Sequence, residues 1–341
     1  MTQNDINILI SSIGRRGHLQ ACIKNAMSET GTAGKVITTD ASWSAPGLKF
    51  SDKGFVVPKS LESYYIDRLL DIIKAEKIGF LIPSGDIDLT VLSQAFETLT
   101  AQGVTLLMPS PEMVCKCADK AKTWKIFNGL GLAAPRIFPD ADAVSSSDFP
   151  VVVKSRGCKV ATTKGFTKIA TIDDLAYSLG HVTDPIVQEF VEGHEFTVDT
   201  LTDLNGKVIS VVPRRRVSLR EYVSDKGETV RDSSIVEEVL LILDKLKPKG
   251  FCNLQCIKQD GVNYWIEVNP RISGGIPLFL ASCPKLPFLL LEILEGNAVD
   301  SIIGEYEVGC FMAKYDEVLI FDKDNQSIPI HQFEHHNWNM Q

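Results

Sequence analysis

Hydrophobic and polar positions follow two regimes along the chain. In the first third, short apolar runs alternate with stretches of helical period. Asn7-Ile8-Leu9-Ile10 reads as a strand, Gly14-Arg15-Arg16-Gly17 as a glycine turn, and the residues from His18 onward as a helix, which is half of a βαβ unit. Further strands are expected at 35–40, 79–83 and 104–108, with a helix over Tyr64–Glu76. Strands that alternate with helices imply a parallel sheet covered on both faces.

Asp119–Gly131 reads as a helix, and the Ala134-Pro135 step forces an extended exit from it. Beyond the small, polar linker Asp140–Ser147 the strands come at short spacing: 151–154, 164–169, 186–191, 195–202, 207–216, 250–258 and 262–268. Asn205-Gly206 and Asp260-Gly261 tolerate positive φ at little cost and favour hairpins, so these strands are expected to be antiparallel. The expected fold class is α/β plus α+β, a Rossmann-like parallel-sheet lobe followed by an α+β body.

With 341 residues, 44% hydrophobic and 23% charged, the composition is that of a globular protein, neither disordered nor fibrous. Forty-three acids against 35 bases give a net charge of −8, the wrong sign for general binding to nucleic acid or to an anionic membrane. Small molecules are the expected partners. Eight scattered cysteines form no C-x-x-C pair and read as reduced thiols. The nearest apolar run, 276–294, is interrupted by Pro277, Pro284, Lys285 and Pro287, and the first residues lack a basic leader, so a cytoplasmic protein is expected.

The segment Gly250–Ile257, the turn Asp260-Gly261 and Tyr264–Arg271 carry the clearest chemistry. Because side chains alternate along a strand, Asn253 and Gln255 share one face and Cys252, Leu254 and Cys256 the other. On the partner strand, Glu267 and Asn269 are expected on one side and Ile266 and Val268 on the other. The hairpin then gathers oxygen ligands around one carboxylate, a set suited to Mg²⁺, and Arg271 follows where it can neutralise phosphate charge. The ordinary alternative is a hairpin whose polar side merely meets water.

Two distant features favour the first reading. Pro150-Val151-Val152-Val153-Lys154 is an apolar strand ending in a lysine placed to reach phosphate, followed by a basic loop carrying Arg156, Lys159 and Lys164. Val187-Gln188-Glu189-Phe190-Val191-Glu192-Gly193-His194-Glu195 joins two strands, and such a hinge can offer backbone groups to an adenine edge and a carboxylate to a ribose.

Lys154, the hinge Gln188-Glu189-Phe190-Val191, Glu195 and Gln255…Glu267-Val268-Asn269-Pro270-Arg271 occur in the order and spacing of the ATP-grasp superfamily. The similarity is greatest to its carbamoyl-phosphate-synthetase-large-chain-like branch. It extends to Ala118-Asp119-Lys120 with Gly131–Pro135 and to Val212-Pro213-Arg214-Arg215-Arg216, and covers roughly residues 5–320.

The resemblance implies a pre-ATP-grasp domain over 1–112, a small lid subdomain over 113–185, a C-terminal ATP-grasp subdomain over 186–325 and a polar tail over 326–341. It implies an ATP- and Mg²⁺-dependent ligase, with Mn²⁺ as an alternative ion, that converts a small-molecule carboxylate, an amino acid for preference, into an acyl-phosphate. An amine or similar nucleophile then attacks, releasing ADP and phosphate. Lys154 would contact the phosphates, with Lys120 as a second phosphate-side lysine. Gln188, Glu189, Phe190 and Val191 would frame adenine, Glu195 would hold the ribose and Arg214 a phosphate. Gln255, Glu267 and Asn269 would serve the metal, and Arg271 the transferring phosphoryl group. A homodimer is one assembly the resemblance leaves open. The chain lacks a glutaminase segment and a second synthetase half, so carbamoyl phosphate is not the expected product.

The loop after Lys154 is poorer in glycine than the family's usual version, which keeps a second reading open: a catalytically weak ATP- or effector-binding module of the same fold. Other residues have bland readings. Arg214, Arg215, Arg216 and Arg220 fit a solvated strand edge as well as a phosphate contact, and alternation allows only one face to act. The turn Gly14–Gly17 with Asp40 is not G-x-G-x-x-G, so substrate binding is favoured over NAD(P). Asp86 and Asp88 suit either a ligand site or helix capping. His18, His181 and His194 show no metal spacing, and His331, His335 and His336 lie in the tail. Ser273-Gly274-Gly275 either brings N–H groups to the acceptor or turns the chain toward a helix at Pro287–Glu295.

Overall fold

The computed structural model describes residues 5–157, 166–220, 223–316, 318–320 and 322. The basic-loop residues Lys159 and Lys164, and the tail with its three histidines, lie outside the described residues.

The first sheet is parallel and five-stranded, in the order β3-β2-β1-β4-β5. Its strands are β1 (Ile6–Ser11), β2 (Gly34–Asp40), β3 (Lys53–Val56), β4 (Phe80–Pro83) and β5 (Thr105–Leu106). Every residue of β1 is buried, as a central parallel strand covered on both faces requires. Helices Gly17–Thr30, Tyr65–Ala75 and Asp86–Gln94 supply the cover. β1 has β2 on one side and β4 on the other, so the strand order reverses between β1 and β4. The short edge strand β3 carries no clear alternation and escapes a reading from pattern.

The second sheet has four antiparallel strands in the order β6-β9-β7-β8: β6 (Ile137–Phe138), β7 (Val151–Ser155), β8 (Phe166–Ile169) and β9 (Pro185–Glu189). Val151 and Val153 point into the small core of this layer with Phe138, Ile169, Leu175 and Val187. Val152 and Lys154 therefore face the other way.

The third sheet, in the order β14-β13-β10-β11-β12-β15, consists of β10 (His194–Thr202), β11 (Val208–Arg220), β12 (Val223–Thr229), β13 (Gly250–Gln259), β14 (Val262–Asn269) and β15 (Phe311–Ala313). Asp260 and Gly261, at φ 49° and 83°, make the tight turn between β13 and β14. Phe196, Val198, Val211, Leu254, Trp265 and Val268 face helix Ser233–Leu246, which buries Ile235, Val239, Ile242 and Leu243 against them. Asp232 caps that helix by accepting the Ile235 N–H at 3.2 Å. The opposite face is apolar at one end, where Leu201, Ile209 and Phe251 join the core of the parallel lobe and helices Ile276–Ser282 and Leu286–Leu294. At the other end it is polar.

Among the described residues no single helix is long and apolar enough to cross a membrane. The two apolar helices at 276–294 are bent by 99° and packed into the core. Of the seven described cysteines, Cys117, Cys252, Cys256 and Cys283 are buried; Cys158 lies outside the described residues.

Candidate active site

The polar end of the third sheet and the inner face of the second enclose a cavity of about 280 Å³. Register explains its lining. Along β10 and β13, Glu195 pairs with Ile257, Thr197 with Gln255 and Asp199 with Asn253, so these side chains share one face. Across the next ladder Gln255 opposes Glu267 and Asn253 opposes Asn269. From the second sheet come Lys154 and Val152, the latter opposite Gln188.

One expectation about facing fails. Gln255 pairs with Glu267 but Cys256 pairs with Trp265, so Ile266 is an extra, bulged residue. The bulge breaks strict alternation: Trp265 and Val268 go to the core, whereas Ile266 and Glu267 both line the cavity.

Lys154 is 9% exposed. Burial and the neighbouring Lys120 lower its ammonium pKa to about 8 against the pull of Glu267 and Glu195. Lys120 opens helix Lys120–Gly129, whose cap is Asp119. Asp119 also accepts two bonds from Arg156, at 3.0 and 2.9 Å, which ties the end of β7 to the start of that helix and so fixes the two lysines relative to each other.

In the hinge, the Glu189 N–H bonds Arg136 O at 2.8 Å and its carboxylate accepts the Arg136 N–H at 3.0 Å. The Glu189 N–H is thus committed within the protein. Gln188 turns its amide to Pro135 O at 3.0 Å, a packing bond. Lys168 sits 3.8 Å over the Phe190 ring.

Glu195 forms an ion pair with Arg216, which also donates to Gln255 Oε1 at 3.1 Å. Burial raises the Glu195 pKa despite Arg216 and lowers that of Arg216 despite Glu195, so desolvation outweighs the pair for both charges. Arg214, expected beside the nucleotide, does not line the cavity. It is 2% exposed, pairs with Asp199 at 2.7 Å, and lies against Gly275, where a Cβ would come within 2.3 Å of its guanidinium carbon. Arg216 takes the place in the cavity instead. Asn269 and Arg271 also lie outside the lining. Asn269 donates to Glu267 Oε1 at 2.8 Å, and Arg271 pairs with Asp86. Asp86 therefore does not cap its helix, and Asp88 is buried against Ser11 and Tyr65.

The donor set fits the metal expected of it. Among the described residues no group of three or more His, Cys, Asp or Glu is arranged for a metal ion. One carboxylate with facing amides suits Mg²⁺, which keeps waters and takes other oxygens from phosphates, better than an ion that needs an all-protein cage.

The apolar walls Val152, Ile257, Ile266 and Pro135 are not among the residues that the sequence reading assigns to the site. Period-two counting from Lys154 and Gln255 finds Val152 and Ile257; Ile266 is hidden by the bulge.

The model of the PylC-like N-terminal domain matches residues 8–107, and that of the ATP-grasp in the biosynthetic pathway with Ter operon matches residues 181–313. A carbamoyl phosphate synthase large chain from Thermoanaerobacter sp. (strain X514) is 24% identical over 302 residues, 79% of this chain and 26% of the relative. The chain thus spans about a quarter of the length of that relative. Biotin carboxylase from Campylobacter jejuni superposes with a TM-score of 0.70 at 16% identity, over 91% of this chain and 75% of that one. An L-amino acid ligase from Bacillus licheniformis gives 0.66 at 19%, over 86% and 75%. Residues 181–313 thus match an ATP-grasp model, and over most of its length the chain is similar to carbamoyl phosphate synthase large chains.

Proposed function

We propose that the chain is an ATP- and Mg²⁺-dependent ligase that activates a small-molecule carboxylate, an amino acid for preference, as an acyl-phosphate and joins it to an amine. The observation that carries this is the convergence of Lys154 from the second sheet with Glu267 and Gln255 from the third around one cavity. The name of the L-amino acid ligase among its structural neighbours supports the substrate class.

In this reading the apolar walls take the adenine ring, with the Glu189 carbonyl and the Val191 N–H at its edge. Glu195, fixed by Arg216, turns its other oxygen to a ribose hydroxyl. Lys120 and Lys154 hold phosphate oxygens. Glu267, Gln255 and Asn269 would hold Mg²⁺, which supplies charge neutralisation on the phosphates. The acid's carboxylate oxygen attacks the terminal phosphorus as the bond to ADP breaks; the amine then attacks the acyl carbon and phosphate leaves. Arg271, oriented by Asp86, neutralises charge on the transferring group, so the protein contributes positioning and electrostatics rather than a nucleophile.

The test is ADP release on addition of pooled carboxylic and amino acids, with mass spectrometry of the products. Stimulated release supports the ligase; tight ATP binding without stimulation selects the binding module; absence of ATP binding rejects both.

A further inference from the structure

Asn253 belongs to the hairpin cluster but not to the wall of the cavity. On β13 it stands between Asp199 of β10 and Asn269 of β14, and it is 2% exposed. Asp199 accepts from Arg214 at 2.7 Å, and Asn253 directs its amide the other way. Its nitrogen donates to two main-chain carbonyls, Asn269 O at 3.3 Å and Arg271 O at 3.1 Å. Carbonyls only accept, so the amide cannot be turned over without setting its oxygen against two others.

The Asn253 oxygen is thereby left to the Asn269 side chain. Asn269 Nδ2 donates to it at 3.3 Å and to Glu267 Oε1 at 2.8 Å. A turned Asn269 would face those two oxygens with a third. The carbonyls at the end of β14 thus fix one amide, and that amide fixes the next.

With its nitrogen so engaged, Asn269 keeps an oxygen that carries no hydrogen bond from the described residues. The direction matters for the ion this cluster suits, because Mg²⁺ takes oxygen ligands and a turned amide would present N–H groups to it. Gln255 already shares its oxygen with the Arg216 guanidinium at 3.1 Å. Of the three amides, Asn269 is therefore the one whose oxygen is held by no other described side chain.

We propose that Asn253 is a positioning residue for the metal: it does not touch the ion, and it sets the Asn269 amide with its oxygen free to receive one. The proposal deepens the ligase reading and rests on it, since a metal ion that accompanies the nucleotide is its subject. Groups that orient metal ligands in this way typically change metal affinity by about tenfold or more.

The test is calorimetric titration of the full chain with β,γ-imido ATP, once with Mg²⁺ and once with EDTA. The ratio of the two affinities reads the metal, and the EDTA value reads the rest of the nucleotide site. Asn253→Ala should lower the ratio about tenfold and leave the EDTA value unaltered. Asn269→Ala should lower it at least as far, and the double variant should be no worse than Asn269→Ala alone, because Asn253 acts through Asn269. Should Asn253→Ala fail to fold, Asn269→Asp carries the test. It adds a charged oxygen, yet it should lower the ratio, since its second oxygen would face those of Asn253 and Glu267. An unchanged ratio in Asn253→Ala, an equal loss in EDTA, additive effects in the double variant or a raised ratio in Asn269→Asp would each overturn the proposal while nucleotide binding upholds the ligase reading. An unmodified chain that binds no nucleotide under either condition would overturn both.

Discussion

Arg271 and Asp86, 185 residues apart in sequence, meet in a two-pronged ion pair, with Nη2 2.7 Å from Oδ2 and Nε facing Oδ1. The pair joins the end of β14 to the first turn of helix Asp86–Gln94, so the parallel lobe sets the direction of an arginine that belongs to the body. A planar guanidinium held from two sides by a carboxylate is pre-aimed in a way a lysine would not be.

Asp86→Asn leaves Arg271 with a weaker, single-pronged partner. Because the Asp86 side chain is 43% exposed, the loss is about 1 kcal/mol or less. Turnover should fall several-fold with ATP affinity unchanged, whereas Arg271→Ala should lower kcat by about a hundredfold or more. Steady-state kinetics with ATP and acid varied separately check both, and equal rates for Arg271→Ala and the unmodified chain would remove Arg271 from the reaction.

Glu267→Gln keeps the shape of the side chain and removes the one carboxylate of the hairpin cluster. Turnover should drop by about a hundredfold or more, and added Mg²⁺ should recover little of it. The decisive measurement is the rate against Mg²⁺ concentration; an unaltered maximum would mean that Glu267 holds no metal.

Lys154 carries its charge below a pKa of about 8 in the free protein, because burial and Lys120 disfavour the ammonium. Phosphate needs the charged form, so kcat/KM for ATP should hold up to that pH and decline as pH rises through about 8. Bound nucleotide favours the ammonium, so kcat should decline at a higher pH than kcat/KM. Lys154→Ala should weaken ATP binding and abolish this limb; a limb that persists in the variant would assign the titration to another group.

Gly275→Ala places a methyl within 2.3 Å of the Arg214 guanidinium carbon, and Arg214 can yield only by leaving the buried Asp199. A loss of about 1–3 kcal/mol in denaturant unfolding is expected. A neutral result would show that the Arg214–Asp199 pair is free to shift.

Much of this arrangement is legible in the sequence because it is local. Asp260-Gly261 dictates a tight turn, and two strands leaving it bring the polar positions of β13 and β14 together, although regular counting from that turn sets Gln255 against Ile266 and only the bulge brings Glu267 opposite it. The same reasoning misplaces Ile266, since a bulge is set by cross-strand pairing and leaves no mark on hydrophobic pattern. It cannot choose between Arg214 and Arg216, which share a face of β11; the choice falls to Asp199 and Glu195 on the neighbouring strand. The Arg271–Asp86 pair depends on how two lobes dock and is invisible to any local window. Helix Ser233–Leu246 is a plain omission, for Ile235, Val239, Ile242 and Leu246 have helical spacing behind an Asp232 cap.

The unpaired place of Ile266 in β14 makes the length of that strand a chemical variable. Deleting Ile266 would leave a regular ladder with Glu267 still opposite Gln255 and would remove one apolar wall of the cavity. Any graft of this hairpin onto another scaffold would have to carry both strands together, since neither alone keeps count of which side is wet.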